Sequence, residues 1–274
     1  MSDFHGVVHK NYKPYFQSLY DDMKARRDKS FFWPNGTQVY CGRQGSGKTI
    51  SAVYHVMRLK LRYPNMILVT NLNISTLTPR HFYSKSELGL LLNTAREGVA
   101  DSIAPLDPMT EYIAFKSIDQ LSYALVGVNN QLKGVVYLID EIHTYFNALD
   151  SKNIPMFVFT EISQQRKQRK LIIGTSQVFK RMALPFREQA DNIIECFTFY
   201  GILTIQKVFQ YPYKTDYDDN IISKPRKIGF FFHNRNIRNC FDTFQKVISA
   251  NEQYNQTTFV PVQQLNKKGK ISKR

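Results

Sequence analysis

Runs that are apolar at nearly every position, separated by stretches of helical spacing, dominate the middle of the chain. Val135-Val136-Tyr137-Leu138-Ile139 and Leu171-Ile172-Ile173 are continuous, and Met66-Ile67-Leu68-Val69-Thr70 is nearly so. Strands of this texture are buried on both faces, as in a parallel sheet covered by helices. Thr37-Gln38-Val39-Tyr40-Cys41 and Tyr112-Ile113-Ala114-Phe115 read as two more short strands. Between the strands, Thr49 to Arg62 predicts a helix with Ile50, Val53, Met57 and Leu61 on one face. Ser84 to Thr94 and Ser117 to Val126 predict two further helices, the second with Asp119 near its start. Pro155 to Arg169 predicts another, with proline in its first turn and a cationic C-terminal half. Tyr15 to Arg27 has rough helical spacing, and Pro34-Asn35-Gly36 marks a turn before the first core strand. After Asn192 the runs become shorter and β-rich: Ile193 to Phe199, Leu203 to Tyr211 and Ile228 to His233. The chain therefore divides into a basic, aromatic lead segment over 1–35, an α/β core over 36–210, and a β-rich extension with a lysine-rich tail over 211–274.

Composition narrows the partners more than the fold. With 43% apolar residues, 20 Phe and 16 Tyr among 274, the chain can bury a large core. Thirty-seven Lys and Arg against 22 Asp and Glu give a formal net charge of +15, which favours a polyanion: nucleic acid first, an anionic membrane surface second. Cys41, Cys196 and Cys240 are scattered, without C-x-x-C spacing, which argues against a disulfide framework or a zinc site and for a reducing compartment. No apolar run approaches the roughly 18 residues that span a bilayer. The start of the chain lacks the layout of a signal peptide, so a soluble, cytoplasmic protein without an intrinsic membrane span is expected.

The chemistry is concentrated in four places. Gly42-Arg43-Gln44-Gly45-Ser46-Gly47-Lys48-Thr49 is a complete G-x-x-x-x-G-K-[ST] phosphate loop, set between a predicted strand and a predicted helix. Such a loop closes backbone N–H groups and a helix N-terminus around the phosphates of ATP. Lys48 would reach the β- and γ-phosphates, and the Thr49 hydroxyl would ligate Mg²⁺. Asp140-Glu141 follows the apolar strand 135–139, in the Walker B arrangement. Ligands bind at the carboxyl ends of strands in open α/β sheets, so Asp140 would hold Mg²⁺ while Glu141 orients and deprotonates the attacking water. Gln177, ending Thr175-Ser176-Gln177, stands where a side chain could bond the γ-phosphate or the lytic water; an ordinary polar strand end is the alternative. Gln164 to Lys170 carries four cations in seven residues. Arg166 or Arg169 could clamp a neighbouring subunit's phosphates, and a DNA-phosphate stripe or a solvated helix end are the competing readings. Arg187 is a second finger candidate, and His143 reads as a supporting or packing residue because no second ligand stands at suitable spacing.

These motifs, in this order, resemble the FtsK–HerA superfamily of P-loop ATPases. The resemblance rests on Gly42 to Thr49, the strand ending Val69-Thr70-Asn71, the run Leu138-Ile139-Asp140-Glu141, and the basic Gln165-Arg166-Lys167 leading into Ile172 to Gln177. It covers roughly residues 37–210. The fold it implies is a P-loop NTPase of the RecA/ASCE-like kind: a mostly parallel sheet flanked by helices. It further implies a homo-oligomeric ring, hexamer or pentamer, with Gln177 as sensor, an arginine finger from the adjoining subunit, and nucleic acid threaded through a basic channel. Filamentous-phage assembly members carry a membrane span that is absent here, and chromosome translocases carry additional domains. The expectation is accordingly an ATP- and Mg²⁺-dependent motor that packages double-stranded DNA into a viral capsid. It would work in the host cytoplasm, transiently at the capsid vertex beside a portal protein, with Lys180-Arg181 and the loop around 214–227 touching the DNA backbone. The alternatives are a phage extrusion ATPase related to zonula occludens toxin, and a nucleotide-switched DNA- or capsid-binding module.

Overall fold

A computed structural model of the chain describes residues 20, 23, 28, 31–74, 79–80, 112–149, 154, 156–212, 214, 221 and 223–241. Among the described residues nine strands form one sheet: β1 (Gly36–Cys41), β2 (Ile67–Thr70), β3 (Pro79–Arg80), β4 (Tyr112–Ala114), β5 (Val135–Ile139), β6 (Lys170–Ser176), β7 (Asn192–Phe199), β8 (Leu203–Gln210) and β9 (Lys227–Phe232). Their order across the sheet is β3-β4-β2-β5-β6-β1-β7-β8-β9. Pairing is parallel from β3 through β7, and β8 and β9 then add antiparallel, so the expected mostly parallel α/β sheet is what the chain forms. The helices are α1 (Lys48–Arg62), α2 (Ile118–Gly127), α3 (Met156–Gln164), α4 (Leu184–Arg187) and α5 (Arg235–Asn239).

Alternation along the buried strands sorts their side chains into two cores, one per face. Val135, Tyr137 and Ile139 of β5 join the core built with α2, α3 and α4, while Val136 and Leu138 join the core under α1 and α5. Every residue of β5 and β6 is buried, which explains why these segments lack a polar alternation. Tyr137 buries its hydroxyl by donating to the Ala124 carbonyl of α2 at 2.8 Å. Lys170, at the start of β6, is also buried; its ammonium donates to the Leu125 carbonyl and lies 3.5 Å from Glu161. Burial pulls that lysine down to about 8, against the pull of Glu161 in the other direction.

Two elements differ from the periodicity. Helix α3 stops at Gln164, and residues 165–169 are turns rather than the predicted helical end. The chain must reverse to enter β6 there: Arg169 takes φ 53°, Gln165 accepts a hydrogen bond from the Thr37 hydroxyl, and its carbonyl receives the Lys170 N–H. On α1, Lys48, Ile50, Ser51, Ala52 and Val53 are buried near the start; farther along only Val56 and Leu59 remain so. Leu61, expected on the buried stripe, is 83% exposed. Helix α1 packs on the sheet and against α5, and Tyr54 in its middle stacks on Phe231 of β9. The helices read over 15–27 and 84–94 lie outside the described residues, apart from helical Tyr20 and Met23. Phe32, 1% exposed, packs edge-on against Tyr63 and belongs to the core beneath α1.

The two leucines of α1 provide a direct test. Leu59→Ala should cost about 2 kcal/mol or more in denaturant unfolding, because a buried side chain leaves a cavity. Leu61→Ala should change stability by less than about 0.5 kcal/mol.

Candidate nucleotide-binding site

β6 lies between β1 and β5, so the three sequence motifs end side by side at the carboxyl edge of the sheet. Cys41 stands opposite Ser176, and Ile139 opposite Gly174. The chain leaves β1, turns through Gly42–Gly47 and enters α1 at Lys48. The Lys48 ammonium, largely buried, folds back to donate to the Arg43 carbonyl at 3.2 Å. Gly47 has φ 84°, and a Cβ there would stand 2.2 Å from Thr198 Oγ1. Both facts require glycine at that point of the loop.

Thr49, the next residue, donates its hydroxyl to Asp140 Oδ1 at 2.8 Å, and Thr175 donates to the same oxygen at 2.7 Å. Thr175 also accepts the Glu141 N–H at 2.9 Å, so one hydroxyl at the tip of β6 orients both acidic residues. Asn71, following β2, clamps the backbone of Asp140: its Oδ1 accepts the Asp140 N–H at 2.8 Å and its amide donates to the Asp140 carbonyl at 2.9 Å. Glu141 itself adopts φ 49°, a left-handed conformation that a non-glycine residue holds only when its surroundings enforce it. Burial first, and then the neighbouring Asp140 charge, raise the Glu141 carboxyl above its ordinary value of 4.5. Lys48, a hydrogen bond from Gln177, and Arg181 oppose that rise. His143 Nδ1 approaches Glu141 Oε2 to 3.3 Å at an angle that makes no hydrogen bond, and Oε2 is buried without a hydrogen-bond partner. Burial and the charges of Arg181 and Lys48 lower the His143 imidazole, which keeps it neutral beside the carboxylate.

Of the residues singled out from sequence, the structure thus brings together Gly42 to Thr49, Asp140, Glu141 and Gln177, with His143 beside them. Gln177 and the loop line one cavity of about 1130 Å³, which continues along Phe179, Phe197, Ile205 and Ile221. Arg166 and Arg169 are elsewhere. They line a recess with Phe32 to Asn35, at the amino ends of β1 and β6 and therefore opposite the loop. Arg169 donates to the Phe32 carbonyl at 3.1 Å and lies 3.6 Å over the Phe31 ring. Neither can reach the loop of its own chain. Arg187 ends α4, its Nε buried without a hydrogen-bond partner. The three cysteines are free and buried.

Several site residues were read for other roles or carry no motif. Asn71, noted as a strand end, fixes the Asp140 backbone, and Arg181, read as a DNA-backbone contact, acts on Glu141. A third group is a chain of hydroxyls behind the loop: Thr198 donates to the Ser46 carbonyl at 2.9 Å, and Thr204 lies 2.6 Å from Thr198. His233 Nε2 lies 2.7 Å from Thr204. Because Thr198 spends its proton on Ser46, Thr204 must donate to Thr198, and His233 must donate to Thr204. The only sequence signal for these residues was their place in the β-rich runs after 192.

The donor set suits a nucleoside triphosphate with a divalent cation. The loop supplies backbone N–H groups and a lysine; the Thr49 hydroxyl and the Asp140 carboxylate share one place, the oxygen pair that hard cations favour. Ser46 Oγ is buried in the loop without a protein partner, as a group awaiting a ligand would be. Among the described residues no group of three or more His, Cys, Asp or Glu forms a metal cluster, and no helix is long and apolar enough to cross a membrane.

No protein-family profile and no curated protein sequence matches the chain. Among solved structures, it is similar to the N-terminal domain of zonular occludens toxin from Neisseria meningitidis, at 11% identity over 76% of this chain and 98% of that one, with a TM-score of 0.45. The genome packaging NTPase of Sulfolobus turreted icosahedral virus 2, in complex with ATP-gammaS, is 15% identical over 71% and 96%, with a TM-score of 0.45. Flagellar accessory protein FlaH from Methanocaldococcus jannaschii is 15% identical over 64% and 78%, with a TM-score of 0.37. Likeness at this level concerns the course of the chain and carries nothing about what it binds.

The loop glycines separate steric crowding from backbone conformation. Gly45→Ala meets no atom within 4 Å and suffers only its φ of 77°, whereas Gly47→Ala also strikes Thr198. In thermal unfolding, Gly45→Ala should cost about 1 kcal/mol and Gly47→Ala clearly more.

Proposed function

We propose that the chain binds ATP with Mg²⁺ at this edge and hydrolyses it, and that the hydrolysis drives double-stranded DNA into a viral capsid as part of a ring of identical subunits. The observation that carries the nucleotide half is the convergence of Lys48, Thr49, Asp140, Glu141 and Gln177 at one edge of the sheet, beside the cavity lined by Gly42 to Ser46 and Gln177. The loop N–H groups and the start of α1 would cradle the phosphates. Lys48 would exchange the Arg43 carbonyl for a phosphate oxygen, and the apolar wall of Phe179, Phe197 and Ile205 suits the nucleoside.

Thr49 and Asp140 would hold Mg²⁺, which when bound supplies charge neutralisation for the phosphates. Glu141, with its raised pKa and a carboxylate oxygen lacking a partner, is equipped to take a proton from water. Its backbone is fixed by the Thr175 hydroxyl, so the carboxylate does not have to find its place during the reaction. Gln177 bonds that carboxylate from the next strand and can register whether it is charged. Arg166, Arg169 and Arg187 remain the candidates for a finger acting on a neighbouring copy, and for the first two only such action is open. The DNA half rests on the net charge of +15 and on the order of the motifs. A capsid vertex in the host cytoplasm is the place such a motor would act.

Lys48→Ala should lower ATP hydrolysis by about 10² or more, and Glu141→Gln by about 10²–10⁴ with nucleotide binding retained. A Glu141→Gln enzyme that still turns over would sink the catalytic assignment. A base with a raised pKa is active above that pKa and loses activity as pH falls through it. The acid limb of kcat/KM should therefore lie above 4.5, and removing the Arg181 charge, which opposes the rise, should move it higher. Double-stranded DNA should stimulate hydrolysis; absence of stimulation would leave the ATPase and remove the motor.

A further inference from the structure

On the other face of the sheet from α2 and α3, the middle of α1 and strands β7 to β9 enclose a cleft of about 620 Å³. Arg58 and Arg62 line it from α1, and Arg226 and Lys227 line it from the start of β9. Among the described residues no Asp or Glu lines it. Its floor presents three carboxamides, Gln38 of β1, Asn192 of β7 and Gln206 of β8, whose side chains make no hydrogen bond among the described residues. Gly229 leaves the floor flat, since a Cβ there would meet only Gln206 Oε1, at 3.7 Å. One wall is aromatic: Tyr54 and Phe231 stack with centroids 4.3 Å apart and planes 5° from parallel. Deeper in, His55 is bonded to the Tyr40 hydroxyl at 2.8 Å, and burial together with the Arg58 charge lowers its pKa to about 4. The imidazole is thus neutral at physiological pH and leaves the cationic character of the cleft to the arginines and Lys227.

We infer that this cleft binds an unpaired nucleic-acid strand, its phosphates on Arg58, Arg226 and Lys227 and its bases against the carboxamides of Gln38, Asn192 and Gln206. Arginine forks match phosphate oxygens in pairs. Carboxamides both donate and accept, as base edges do, and an aromatic wall beside them tolerates any base. An acidic peptide would use the cations but leave the carboxamides unanswered. A duplex could meet the cations through its backbone, but its base edges lie within grooves that recessed carboxamides do not enter; an unpaired strand brings both phosphates and base edges. The site is separate from the cavity at the loop and does not depend on hydrolysis, so it stands or falls apart from the ATPase reading. It adds a strand-binding surface on the helix that begins at Lys48.

The test is fluorescence anisotropy of a labelled oligothymidylate with the full chain, without nucleotide, over a salt series. Arg58→Gln combined with Arg226→Gln should weaken binding about tenfold or more and reduce the log–log salt slope by about 1.4, at about 0.7 per phosphate contact on a single strand. Gly229→Leu, which fills the floor without altering charge, should weaken binding severalfold. Lys133→Gln, at an exposed turn away from the cleft, should leave it unchanged. Unlabelled oligothymidylate should displace the probe far better than blunt duplex, polyglutamate or thymidine monophosphate at equal anion concentration. Wild-type affinity in both the double variant and Gly229→Leu, with unaltered melting curves, would overturn the proposal. So would equal displacement by duplex, polyglutamate or the mononucleotide.

Discussion

The position of β6 between the strand that feeds the phosphate loop and the strand that ends in the two carboxylates governs the site. Parallel pairing on both sides of β6 brings Cys41, Ser176 and Ile139 to one edge, and the Thr175 hydroxyl is then the common neighbour of Asp140 and Glu141. With β6 elsewhere in the sheet, the Thr175 hydroxyl would no longer stand between the loop strand and the carboxylate strand. The acidic pair would then lose the hydroxyl that orients it. The electrostatics depend on the same placement. Two adjacent acidic residues with one half-buried carboxylate raise the Glu141 pKa, and Lys48, Gln177 and Arg181 moderate the rise only because the strand ends converge.

The loop is held from a second side as well. Thr198, Thr204 and His233 run from the Ser46 carbonyl into the antiparallel part of the sheet. Strands β7 to β9 are consequently part of the site's framework, and Thr198 and Thr204 are the reason Gly47 has no room for a side chain. On the opposite side, Asn71 fixes both backbone groups of Asp140. Held this way, Glu141 keeps a backbone conformation that would otherwise relax, and its unpartnered oxygen remains directed by structure rather than by a competing bond.

Helix α1 connects the two surfaces described for this chain. Its first turn carries Lys48 and Thr49; its middle carries Tyr54, His55 and Arg58 over the basic cleft. A strand seated in the cleft and a nucleotide on the loop would therefore meet the same element at two points.

Local pattern alone determined the strands around residues 37–41, 67–70, 135–139 and 170–176, because a strand buried on both faces is apolar wherever it lies in the sheet. It determined the loop as well, because phosphate binding needs glycines and a lysine at fixed offsets in one short segment. Pairing between distant segments left no such trace. Asn71 meets Asp140, Thr198 meets Ser46 and His233 meets Thr204 across 69, 152 and 29 residues. Arg169 is open to three readings in the sequence, a finger on a neighbouring copy, a DNA contact or a solvated helix end, and only the tertiary structure places it over Phe31 with the Phe32 carbonyl as partner. Leu61 completes an apolar stripe, yet only tertiary packing decides where a stripe is covered, and the buried residues of α1 gather near its start and stop at Leu59. Periodicity records which face a segment would bury; the order of strands decides what arrives to bury it.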